Sequence, residues 1–175
     1  MTSKNHKFAF TVFTPTFNRA SLLSRVYNCL KKQTFESFEW LIVDDGSSDL
    51  TSKFVNEWIT EKIISIRYIY QENQGKCIAT NTGVENAQGE LFLTFDSDDL
   101  CVDNALEVLY KTWLNIENKS AFSAVTGLCV NEHGNIVGDR FPTDPFDSNS
   151  LDNYFIYNLK GEKWGFQKTS VMKEF

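Results

Sequence analysis

Four short apolar runs, each followed by a stretch of helical periodicity, organise the first hundred residues. Residues 8–13, 38–43, 64–70 and 91–95 are dense in Phe, Val, Ile, Leu and Tyr. Runs of this length and composition predict strands that are covered on both faces. Between them the apolar positions recur every three or four residues. Leu22, Val26 and Leu30 form one stripe, with Leu23 and Tyr27 beside it, predicting a helix over residues 21–33. Phe54, Val55, Trp58 and Ile59 mark a second helix, entered through Ser and Asp residues suited to capping it. Residues 76–87 form a weaker third helix, interrupted by Gly83. Residues 14–19 read as a loop, with Pro15 closing the first strand.

This β-α alternation predicts an α/β fold: a mostly parallel, Rossmann-like sheet with helices on both faces and right-handed crossovers. Beyond residue 100 the rhythm changes. Val102, Leu106, Leu109 and Trp113 predict a helix starting near Val102. A strand at 124–130 leads into a turn at 131–135 and a return at 136–137, which suits a small, partly antiparallel C-terminal part. An irregular loop at 141–150, a short helix at 151–159 and a strand at 163–169 complete the pattern.

Composition narrows the function classes. The chain has 175 residues, 42% hydrophobic and 14% aromatic, which suits one well-packed domain and not a disordered chain. A net charge of −6 argues against nucleic acid as a partner, because phosphate-backbone binders are usually basic. The four cysteines are scattered without a Cys-x-x-Cys pair and read as reduced core residues of a cytoplasmic protein. Polar residues 1–7 with no long apolar run after them predict neither a signal peptide nor a membrane-spanning segment, while peripheral association with a membrane stays open. His6 and His133 read as surface residues.

Chemistry concentrates where the strands end. The fourth run closes in Asp96-Ser97-Asp98-Asp99, and the second in Asp44-Asp45-Gly46. In open parallel sheets the loops at the strand C-termini share one edge, which is where ligands bind. Carboxylates so crowded repel one another unless a cation sits among them, and Mg²⁺ or Mn²⁺ with oxygen ligands is the simplest one. Two plainer roles compete. Asp99 or Asp103 could cap the following helix, and Asp44 and Asp45 could form the turn before Gly46.

The chain resembles family 2 glycosyltransferases of the GT-A fold, over roughly residues 8–109. The resemblance rests on Phe13-Thr14-Pro15-Thr16-Phe17-Asn18-Arg19, on Gln33-Thr34-Phe35 ahead of Trp40-Leu41-Ile42-Val43-Asp44-Asp45-Gly46-Ser47-Ser48, and on Asn73-Gln74-Gly75 with Asn81. It continues in Ala87-Gln88-Gly89-Glu90 running into Asp96-Ser97-Asp98-Asp99. It implies a nucleotide-diphospho-sugar donor, most often a UDP-sugar, and inverting transfer to a glycan or lipid-linked acceptor in cell-surface polysaccharide synthesis. By the same resemblance Pro15, Thr16 and Asn18 line the nucleoside pocket and Asn81 contacts the donor. Asp45 accepts a hydrogen bond from the uracil imide. Asp96 lies near the ribose, and Asp98 holds the Mn²⁺ or Mg²⁺, with Asp99 as a second or supporting ligand. Residues 1–100 would then be the nucleotide-binding half and residues 101–175 the start of an acceptor half.

Two departures stand out. Many relatives carry Arg immediately before the position of Asn81, where this chain has Thr80; Arg19 and Lys76 are the alternative cations, both read as solvated surface groups. Inverting transfer also needs a general base to take the acceptor's proton. The chain's 175 residues leave 76 after Asp99, and among its late carboxylates Glu162 is the best candidate. The expectation is therefore the donor-binding portion of a longer enzyme, with a non-catalytic nucleotide-sugar-binding domain as the alternative. A receiver- or phosphatase-like domain would place its acid directly after the first strand, where Thr14-Pro15 stand instead.

Overall fold

The computed structural model describes residues 6–174. Strands β1 (Phe8–Thr16), β2 (Phe38–Asp44), β3 (Ser65–Tyr70) and β4 (Gly89–Thr94) alternate with helices α1 (Ala20–Leu30), α2 (Thr51–Glu61) and α3 (Lys76–Asn86). After α4 (Ala105–Asn115) come β5 (Ala124–Leu128), α5 (Ser150–Phe155), β6 (Lys163–Lys168) and α6 (Thr169–Met172). The sheet order is β3-β2-β1-β4-β6-β5; β1 pairs parallel with β2 and β4, β2 with β3, and β6 runs antiparallel to β4. The mostly parallel α/β architecture is the one expected.

Strand parity sorts the helices. Trp40 and Leu41 are neighbours on β2 and so point to opposite faces. On the Trp40 side, Tyr27 of α1, Trp40 and Trp58 of α2 stack on one another as a triad, with Tyr27 6.1 Å from Trp40 and 4.6 Å from Trp58, and the two indoles 5.9 Å apart. Phe10 lies on the same side and meets Tyr110 of α4 and Phe166 of β6 edge-on. On the Leu41 side, Phe13, Leu41, Val43 and Phe92 pack against Ala79 and Val84 of α3 and Met172 of α6. Both faces of the central strands are therefore dry, and the core residues of β1, β2 and β4 are almost fully buried. Burial of these apolar side chains is the main stabilisation, about 25 cal/mol per Å².

Pro15 does not end β1. The strand continues to Thr16, paired with β2 as far as Thr16↔Asp44. Pairing with β4 stops at Phe13↔Thr94, with Phe95 N–H closing it onto the Phe13 carbonyl. Pro15 shares its ladder side with Phe13, so its missing N–H faces the side where β4 has already ended. The helix after the Asp cluster starts at Ala105, and neither Asp99 nor Asp103 caps it. Gln33, past the end of α1, accepts from Leu106 N–H through Oε1 (3.1 Å) and donates to the Val102 carbonyl (2.8 Å). The four cysteines are free thiols, but only Cys29 is buried; Cys77 on α3 is exposed.

The chain divides into two compact units, residues 1–125 with 166–175, and residues 126–165. The smaller unit combines a local turn with longer pairings, Asp139 N–H donating to the Lys160 carbonyl (2.9 Å) and Lys160 N–H to Asp139 Oδ2 (2.9 Å). The turn at 131–135 forms as expected: Asn131 Oδ1 accepts from His133 and Asn135 N–H (both 3.0 Å) and Val130 bridges Ile136. Phe141, Phe146 and Tyr157 form its aromatic cluster. The Asn149 side chain caps α5 by accepting from Asp152 N–H (2.9 Å).

Candidate active site

Because β1, β2 and β4 are parallel neighbours, their C-terminal ends deliver three loops to one edge of the larger unit. A cleft of about 340 Å³ opens there, lined by Pro15, Thr16, Phe17, Arg19, Asp45, Lys76, Ala79, Asp96, Ser97 and Asp98. Of the residues singled out from sequence, Pro15, Thr16, Asp45, Asp96 and Asp98 meet in this cleft.

The walls are tied by side chains that the turns demand. Asn18 adopts φ 53°, its N–H donates to Ser47 Oγ (2.8 Å) and its Oδ1 accepts from Ser48 N–H (2.8 Å), locking the first loop to the second. Asp49 accepts from Ala20 N–H (3.0 Å) and Thr51 N–H (2.9 Å), joining the first turns of α1 and α2. Asp44 is fully buried and is the turn former: it accepts from Ser47 N–H (2.8 Å) and from the Tyr68 phenol. Gly46 has φ +88°, and a Cβ there would meet the Asn73 backbone nitrogen at 2.9 Å, so the turn requires glycine.

Asp45 is 5% exposed. It accepts from Gln71 Nε2 (2.7 Å), Gln74 N–H (3.0 Å) and Gly75 N–H (2.7 Å). Burial alone would raise its pKa; the three hydrogen bonds outweigh burial and hold the carboxyl below its ordinary value. Asp45 thereby fixes the loop that opens α3, and Gly75 takes φ +92° at that helix's N-cap.

The Asp96–Asp99 segment turns back on itself through Asp99 N–H to the Asp96 carbonyl (3.1 Å). Its far end is anchored to α1, where Cys101 N–H meets the Cys29 sulfur at 3.2 Å. Asp96 Oδ2 pairs with Lys76 Nζ at 2.8 Å, and Asp98 Oδ2 with Arg19 Nη1 at 3.2 Å. Arg19 also donates to Ser97 Oγ (3.3 Å). Arg19 and Lys76 are thus cleft residues, not free-standing surface groups. Their signal in the sequence was position: Arg19 follows Asn18 in the first loop, and Lys76 follows Gly75 at the mouth of a helix. Two buried oxygens on the cleft wall, Thr16 Oγ1 and Asp96 Oδ1, have no hydrogen-bond partner.

The remaining candidates lie elsewhere. Asn81 is exposed on α3, Asp99 is exposed past the Asp98 carboxylate, and Glu162 is exposed in the smaller unit ahead of β6. Among the described residues, no three His, Cys, Asp or Glu side chains converge as a ready-made metal cage, and no helix is long and apolar enough to cross a membrane.

The model of "Glycosyl transferase family 2" matches residues 11–171. The chain belongs to this family. Among family 2 relatives, the glycosyltransferase GlyG of Streptococcus pneumoniae is 32% identical over 93% of this chain and 48% of its own length. The Campylobacter jejuni GalNAc(5)-diNAcBac-PP-undecaprenol beta-1,3-glucosyltransferase is 26% identical over 93% of this chain and 52% of its own. The solved structure of S. aureus TarS 1-349 in complex with UDP-GlcNAc superposes with a TM-score of 0.65 at 26% identity, covering 94% of this chain and 46% of that one. The fold is shared with a Pyrobaculum calidifontis mannosyltransferase solved with GDP-Man and Mn²⁺ (TM-score 0.68, 22% identity, 97% of this chain and 47% of that one). The chain spans about half the length of these two curated relatives and as little as 17% of another.

Proposed function

We propose that the cleft binds a nucleotide-diphospho-sugar, with UDP as the nucleotide, together with a divalent cation, Mn²⁺ or Mg²⁺. We further propose that the whole protein transfers the sugar to a glycan or lipid-linked saccharide on the cytoplasmic side of a membrane. The observation that carries this reading is the pair of unpartnered buried oxygens, Thr16 Oγ1 and Asp96 Oδ1, set in a wall of converging carboxylates. Buried polar atoms without partners are costly, of the order of 1–3 kcal/mol each, and are expected where a ligand completes the hydrogen bonding. The complex of S. aureus TarS 1-349, which is similar to this chain, with UDP-GlcNAc supports the choice of donor.

The residues fit a divalent cation. Asp96 and Asp98 are hard oxygen ligands at the same edge, and Asp96 keeps one oxygen unused. Here Asp96 takes the place beside Asp98 that the resemblance gave to Asp99, and Asp45 is already held by N–H donors; two carboxylates suit Mg²⁺ or Mn²⁺, which complete their coordination with water and substrate phosphates. Bound there, the cation would neutralise the charge on the leaving nucleoside diphosphate. The rest of the work belongs to the protein. Asp45 presents a rigid, ionised acceptor to the base. Pro15 and Phe17 supply apolar wall for it, and Asn18 holds the two loops in register. Deprotonating the acceptor hydroxyl needs a separate base, and Glu162 is the residue to test. A nucleotide-sugar-binding role without turnover is the second reading, favoured by the fact that the carboxylates lining the cleft already have partners or donor-side roles.

Calorimetric titration with UDP tests the proposal. Binding is expected with Mn²⁺ and lost in EDTA. Full-strength binding in EDTA would remove the metal from the reading; failure of UDP to bind with Mn²⁺ present would remove the nucleotide.

A further inference from the structure

The cleft carries its own cations. Lys76 sits on Asp96 and Arg19 on Asp98, one positive charge for each of the two acids proposed as metal ligands. Asp45, the third acid, is satisfied by neutral N–H donors and needs no counter-ion. The Asp96/Asp98 edge is therefore electrically balanced in the free protein.

This balance has a consequence for binding order. A divalent cation arriving alone must displace both side chains from the carboxylates and then tolerate two like charges beside it. A diphosphate arriving alone meets two cations already engaged. Arriving together, the partners exchange: the carboxylates go to the metal, and the freed guanidinium and ammonium go to the phosphate oxygens, where Arg can bind through two parallel hydrogen bonds. For a UDP-sugar, whose diphosphate carries two negative charges, no charge is left unpaired.

Building on the nucleotide-and-metal reading, we propose that Arg19 and Lys76 are resting-state counter-ions that suppress metal binding until a diphosphate enters, and then become its phosphate-binding residues. They couple the two ligands. By linkage the diphosphate raises metal affinity by the same factor as the metal raises diphosphate affinity. Both side chains are about half exposed or more, so they are free to swing between partners without disturbing the core.

The test measures Mn²⁺ occupancy by the loss of the free aqueous Mn²⁺ resonance signal, with and without UDP, corrected for Mn²⁺–UDP association in solution. The parent chain is expected to bind Mn²⁺ weakly alone and far more tightly with UDP. In Arg19→Gln and Lys76→Met, Mn²⁺ alone is expected to bind tighter, on the order of tenfold in the double variant, while the UDP-dependent enhancement shrinks. Lys76→Arg, which keeps the charge, is expected to behave like the parent. Circular dichroism and thermal melting check that the variants are folded. Unchanged metal-alone affinity in the double variant, with UDP and Mn²⁺ still binding the parent, would overturn the counter-ion role and leave the proposed function standing. Absence of any UDP or Mn²⁺ binding by the parent would instead overturn the proposed function on which the role rests.

Discussion

Glu39 and Asp96 lie at opposite ends of the same parallel sheet, and the fold treats them in opposite ways. Glu39, at the entry of β2, is fully buried. It accepts from Thr11 Oγ1 (2.7 Å), Gln88 N–H (2.8 Å) and Arg67 Nη1 (3.0 Å), and Arg67 also donates to the Asn86 carbonyl (2.7 Å). Three segments, β1, β3 and the connection between α3 and β4, close on this one carboxylate of β2, and both of its oxygens are used. Asp96, beyond the exit of β4, has one oxygen held by a flexible lysine and the other unpartnered. A saturated acid is a structural clamp, whereas Asp96, left with an unpartnered oxygen at a strand's C-terminal end, is the acid proposed to take a ligand. Asp45 stands between them: three hydrogen bonds hold it, yet it still faces the cleft.

Stability measurements should rank Glu39 first, Asp45 second and Asp98, the exposed neighbour of Asp96, last. Glu39→Ala removes the acceptor shared by Arg67, Thr11 Oγ1 and Gln88 N–H, leaving Arg67 only the Asn86 carbonyl, and breaking a buried pair costs about 3–5 kcal/mol. Urea unfolding should show that loss with nucleotide affinity per folded molecule unchanged; a loss under about 1 kcal/mol would place Glu39 with the cleft acids.

Asp45→Asn should have a middling effect in two assays. Losing charge-assisted hydrogen bonds should weaken UDP by about 1.5–3 kcal/mol and CDP by less. Asp45's folded pKa is lowered, so its contribution to stability is fully present above its unfolded value near pH 4 and is lost as pH falls through the lower folded value. The Asn variant should therefore lose less stability than the parent on acidification below about pH 4. Parental UDP affinity together with a flattened acid limb would make Asp45 a clamp like Glu39.

The smallest stability change belongs to Asp98→Asn, about 1 kcal/mol or less, because its pair with Arg19 is half exposed and screened. The same substitution should abolish Mn²⁺-dependent UDP binding. Thermal melts and calorimetry on one preparation would separate the two effects, and a large drop in melting temperature would erase the contrast with Glu39.

Much of this was legible along the chain. The apolar runs marked β1 to β4 because a strand buried on both faces cannot alternate, and the helical stripes followed from the need to cover that sheet. The Asp pairs at strand ends pointed to the cleft edge by topology alone. Other features were not legible. The run of β1 through Pro15 depends on where β4 stops. The cap on α4 comes from Gln33, more than seventy residues away in the chain, so a search for a local capping aspartate finds Asp99 or Asp103 instead. Glu39 is one charge inside the apolar run 38–43, and no neighbour in sequence announces Arg67.

The sequence by itself determined the α/β alternation, the family, and which acids reach the C-terminal edge of the sheet. Those depend on periodicity and on local order, which a linear pattern carries. Only the tertiary structure decided which acids are spent and which remain available. That depends on partners brought from distant loops: Gln71, Gln74 and Gly75 around Asp45, Lys76 beside Asp96, and Arg19 beside Asp98. Satisfaction of a carboxylate is set by three-dimensional neighbours within hydrogen-bonding distance, and residue order does not encode that distance directly.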